Sequence, residues 1–136
     1  MKPLLTGCLV LMTTSGMTWG AEADLCLVRG GTPECTIVVA AKPSRMAVLA
    51  AAELQWHIAR LTSGALIPVV REGEGVKGFP IYIGESQKVR DLGLANQTFG
   101  EREFAIMFTP DSLVLTGAAD DEEKVPDGPL NLEIKP

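Results

Sequence analysis

The segment SRMAVLAAAELQWHIARLTSG, residues 44–64, limits the possible folds of this chain more than any other stretch. At about 100° per residue, Ala47, Ala51, Leu54, Ile58 and Leu61 fall on one helical face and form an apolar stripe. Ser44 suits the N-cap, and Gly64 suits the left-handed position after the last turn, so the helix is predicted from about Arg45 to Thr62. The runs on either side are too short for helices and rich in β-branched residues. A long amphipathic helix flanked by such runs must lay its stripe on a sheet.

LCLV and CTIVVAA before the helix read as two strands that pair, bounded by Gly30, Gly31 and Pro33. After it come LIPVV, with Pro68 pointing to a sheet edge or a strand start, and FPIYIG. SQKVRDLG reads as a short helix ending at Gly93. EFAIMFTPDSLVLTG reads as a hairpin, 103–108 and 112–117, turned by Pro110 and Asp111. The order β-β-α-β-β-α-β-β predicts an α/β (α+β) fold, a single mixed β-sheet with helices packed on it, rather than a bundle or a sandwich.

With 136 residues, the chain suffices for one domain with one core. Its 46% hydrophobic and 21% charged content suits a packed interior. The formal charge of −5, with basic residues scattered among acids, excludes nucleic acid as an expected partner.

Lys2, the apolar stretch Leu4–Met12 and the small residues Gly20, Ala21 and Ala23 read as an export signal over residues 1–23. The protein is therefore expected to be secreted or periplasmic, and the stretch is too short for a membrane span. LTGC, residues 5–8, also resembles a lipoprotein box with Cys8 as the lipid site, although the apolar run continues beyond that cysteine. Removing the signal leaves Cys26 and Cys35 in CLVRGGTPEC, either a disulfide staple across a turn or two buried free thiols.

Candidate chemistry is sparse. GEGVKG, residues 73–78, has the glycine spacing of a dinucleotide loop, but such a loop must open a helix and FPIYIG follows instead. DDEE, residues 120–123, pairs carboxylates as glycosidases do, yet neighbouring residues on a polar chain end cannot face each other across a sugar. No metal spacing, cofactor motif or nucleophile elbow is present, so no catalytic residue and no cofactor are assigned. His57, the only histidine, sits at the border of the stripe one turn beyond Glu53 and reads as structural. On the other side of the helix, Leu49, Ala52 and Trp56 line up, with Arg60 able to lie over the indole. Leu49, Ala52, Trp56 and Arg60 are thus the expected contact with another domain or partner.

TIVVAAKPSRMAVLAAAELQWHIARLTSGALIPVV, FPIYIGES and EFAIMFTPDSLVLTGAADD, within residues 35–120, resemble the N-terminal non-catalytic domain of large secreted glycoside hydrolases. The relatives are the family 67 α-glucuronidases and the family 20 β-hexosaminidases. Ala51, Ala52, Glu53, Leu54, Ile58, Thr62 and Gly64 carry the most specific part of the pattern. The resemblance implies a β-hexosaminidase N-terminal-domain-like accessory domain over residues 24–120, packed beside a catalytic (β/α)8 barrel, with no catalytic position of its own. Relatives continue with an Arg-Gly-Thr-like phrase and an aromatic-rich helix toward the barrel. Residues 121–136 instead predict an extended tail, and with it a fragment, a truncated product or a stand-alone remnant. The alternative is a stand-alone exported module that binds carbohydrate or protein.

Overall fold

The computed structural model describes residues 25–118, 124–130 and 132. Residues 1–23, expected to be an export signal, with Cys8, and DDEE lie outside the described residues. A five-stranded mixed sheet has the order β4-β3-β5-β7-β6 and carries helices on both faces. Its strands are β3 (Cys35–Val39), β4 (Val69–Arg71), β5 (Phe79–Ile83), β6 (Phe104–Thr109) and β7 (Ser112–Gly117). All neighbours run parallel except β6, which pairs antiparallel with β7 at one edge. Helix α1 (Arg45–Leu61) packs on β3, β4 and β5. The short α2 (Gln87–Asp91) and the 3-10 turn Leu94–Asn96 lie on the opposite face, where Val89 and Leu94 meet Val114.

Capping residues define the ends of α1. The Ser44 hydroxyl accepts the Ala47 N–H at 3.1 Å, and Gly64, at φ 106°, donates its N–H to the Ala59 carbonyl. Val48, Ala51 and Ile58 are buried on the inner side, where the small Ala51 lets the helix lie close over Ile37 and Ile81. Every residue of β3 is buried because strands flank it on both sides.

Three expectations need correction. LCLV does not pair with CTIVV: β1 (Val28–Arg29) and β2 (Thr32–Pro33) form their own two-stranded ribbon, and β3 is spent on its parallel partners β4 and β5. Second, Leu61 is 84% exposed although it belongs to the stripe. It is the last residue of α1, at the turn where the chain leaves the helix. Finally, the tail, expected to be extended or frayed, is tied down from Lys124 to Leu130. Val125 donates to the Pro43 carbonyl, the buried Arg71 guanidinium donates to the Ala41, Pro126 and Gly128 carbonyls, and Leu130 packs on the core.

The disulfide weighed between Cys26 and Cys35 is not formed; both are free thiols. Cys26 lies outside β1 with its thiol turned to the Val28 carbonyl, while Cys35 already belongs to the main sheet and donates to the Leu27 carbonyl. Burial, with a smaller effect from the nearby Cys26, pushes the Cys35 thiol up to about 11. Thiolate is the reactive form. Iodoacetamide at neutral pH is therefore expected to label the half-buried Cys26 well before Cys35, with the difference vanishing in denaturant. Peptide mapping checks this, and equal labelling of both in the folded chain would contradict it.

Candidate docking surface

A helix with its side chains is about 10–12 Å across, whereas five strands span about 24 Å. One helix therefore covers about half of a sheet this wide. On the α1 side the covered half is β4, β3 and β5, while among the described residues no helix lies over β7 and β6.

The register puts large apolar side chains into that bare half. Opposed residues of an antiparallel pair share a face, so Phe104, Ile106 and Phe108 of β6 stand with Leu113 and Leu115 of β7 on the α1 side. The three β6 residues are exposed by 72%, 57% and 67%. Across from them the flank of α1 carries Met46, Ala50 and Leu54, which fall within about 80° of one another at helical spacing. Leu54 is half-buried, whereas Met46 is exposed. Between the two walls lies a trough with a cavity of about 390 Å³, in which Met46, Leu54, Phe104, Ile106 and Leu115 line one continuous apolar surface. Glu85 and Lys124, paired at 3.2 Å, stand at its upper end beside Ser44.

Such a surface is more than a scatter of exposed residues. Fully covering a Leu, Ile or Phe side chain is worth roughly 1.5–3 kcal/mol, so a partner that filled the trough would gain several such contributions at once. Among the described residues no group of three His, Cys, Asp or Glu side chains comes together.

The residues expected to make the partner contact lie elsewhere on α1. Leu49 and Trp56 are exposed on its solvent side, with the Arg60 guanidinium 5.1 Å from the indole centroid and the His57 ring edge-on to it at 4.8 Å. His57 also meets Glu53 at 3.5 Å. Trp56 thus has local cover on two sides. Ala52 is only 4% exposed, on the flank of α1 toward β4, so it is a packing residue and not a contact. The trough flank and β6 were missed. The signal was the alternation of Phe104, Ile106 and Phe108, but its meaning depends on where α1 lies over the sheet.

GEGVKG is a surface connection between β4 and β5, and β5 begins at Phe79 immediately after it. Among the described residues no helix is long and apolar enough to cross a membrane. No family model, characterised protein or solved structure matches this chain.

Proposed function

We propose that this chain is a non-catalytic accessory domain of an exported carbohydrate-active glycoside hydrolase, of the α-glucuronidase or β-hexosaminidase type, and that the trough is the face by which it docks. The reading is supported first by the half-covered sheet: the bare strip of β7 and β6 is about 10 Å wide, the width of one helix, and runs alongside the 17 residues of α1. One amphipathic helix from the barrel-bearing polypeptide would complete the layer. Support also comes from the sequence pattern over residues 35–120, in which the strand, helix and hairpin phrases resemble the N-terminal domain of those hydrolases. Beyond Lys124, residues 125–130 run toward Arg71 and the β4 side, away from the trough.

The test combines an activity assay with a binding measurement. The purified chain is expected not to hydrolyse glucuronoxylan fragments or N-acetylhexosaminides; turnover of either would overturn the non-catalytic role. A glycosidase barrel encoded beside it is expected to bind in titration calorimetry. Met46→Glu should weaken that binding at least tenfold without changing the fold, because Met46 lines the trough, is 50% exposed, and an exposed substitution shifts stability by only about 0.5 kcal/mol. Binding that is absent, or indifferent to Met46→Glu, would show that the trough is not the docking face.

A further inference from the structure

The sheet has two edges, and they are built differently. Strand β4 is three residues long, follows Pro68 and ends on Arg71, whose guanidinium draws the C-terminal stretch over that end. A short edge next to proline and a charge is a usual defence against unwanted strand pairing. Strand β6 is twice as long and carries no such residue within its paired length. It runs for six residues, FAIMFT, without a charge, a proline or a bulge in its register with β7.

Its backbone orientation follows from the neighbouring strand. The Leu115 carbonyl accepts the Gly84 N–H at 2.9 Å, so Leu115 directs its backbone groups toward β5. Alternation along β7 then turns Ser112, Val114 and Thr116 toward β6, where they meet Thr109, Met107 and Ala105. Phe104, Ile106 and Phe108 are left to direct their N–H and C=O groups outward, at the open edge.

We propose that β6 pairs antiparallel with β6 of a second copy of this chain, about a two-fold axis through Ile106. In that register Ile106 faces its own counterpart, and Phe104 of each copy faces Phe108 of the other. The outward-directed residues oppose each other, so the ladder gains about six N–H···O bonds. Two aromatic pairs and one Ile pair stack on the face that carries the trough, and cross-strand pairs of this kind stabilise a sheet. No charge opposes a like charge within FAIMFT. The strand is thus complementary to itself, as an isologous interface requires. The two bare strips would also join into one floor four strands wide. Among the described residues nothing pairs with this edge, and the edge is distinct from the trough, so the pairing does not depend on the proposed docking helix.

The area bounds the strength. Two partly exposed Phe side chains, one Ile and the strand backbone offer roughly 400 Å² per copy, about half of what a standard interface buries on each side. The dimer is accordingly concentration-dependent.

Sedimentation equilibrium of the purified chain tests the pairing. The dimer is expected to appear between about 10 µM and 1 mM, with Ile106 amide exchange slowing at least tenfold over the same range. Ile106→Pro removes an outward N–H without touching the β7 ladder, and Ile106→Lys sets two like charges on the axis. Each variant should remain monomeric at 1 mM with an unchanged circular dichroism spectrum. If Ile106→Pro unfolds, Ile106→Lys and the exchange measurement on the unaltered chain still decide. A chain that stays monomeric at 1 mM would overturn the proposal, as would a concentration-independent Ile106 amide or dimers that survive in a folded variant.

Discussion

Gly78→Ala is expected to destabilise the domain by about 3 kcal/mol or more, through strain and steric conflict together. Gly78 has φ +70°, a conformation that alanine adopts only at a cost. A Cβ at this position would sit 2.2 Å from the Glu34 carbonyl oxygen and 2.7 Å from its carbon. Both obstacles are backbone atoms, so no side-chain rotation relieves them. Nor can Glu34 retreat freely, because its carbonyl accepts the Phe79 N–H and its own N–H is bonded to Leu27. Relief would break the contact that starts the pairing of Cys35 with Phe79 and sets the register of β3 and β5. Gly73→Ala is the control. That glycine also has positive φ, 91°, but nothing lies within 4 Å of an added Cβ, so only the strain of about 1 kcal/mol should appear. Urea midpoints of the two variants separate the contributions; equal shifts would show that contact with Glu34 is immaterial.

Ile81→Ala should cost about 2–5 kcal/mol. Ile81 is 1% exposed in the middle of β5, with Ile37 beside it on β3 and Leu113 on β7. It belongs to the cluster beneath α1 that includes Ala51 and Ile58. Truncation leaves a cavity bordered by sheet backbone and by a helix that already sits close, so little can collapse into it. A domain of this size has roughly 5–15 kcal/mol of total stability, and the loss is a large part of it. The urea midpoint should fall with the slope of the transition unchanged. A midpoint shift worth less than about 1 kcal/mol would mean that the core beneath α1 is not packed as described.

What could be read from the sequence differed between elements for physical reasons. Helix α1 was legible because its determinants are local: the spacing of Ala47, Ala51 and Ile58, a hydroxyl at Ser44 and a glycine at position 64. The hairpin of β6 and β7 was legible from its alternation and from Pro110 and Asp111. The pairing of the first strands was not. CTIVV contains the same residue types whether it pairs with LCLV or with VVR, and only the competition for β3 among its neighbours decides. Leu61 and Ala52 were misplaced for a similar reason. A helical wheel gives the angle between residues, but not the angle between the helix and the surface beneath it.

The sequence by itself determined that a mixed sheet would form with a long helix on it, and where that helix starts and stops. These follow from periodicity, capping and turn chemistry, which act over a few residues. Tertiary structure alone decided that α1 packs on β4, β3 and β5, that Met46, Leu54, Phe104 and Ile106 border a trough, and that β6 ends the sheet. Strand order and helix placement depend on contacts between residues far apart in the chain. The same alternation of Phe and Ile reads as core or as surface until the layer above it is known.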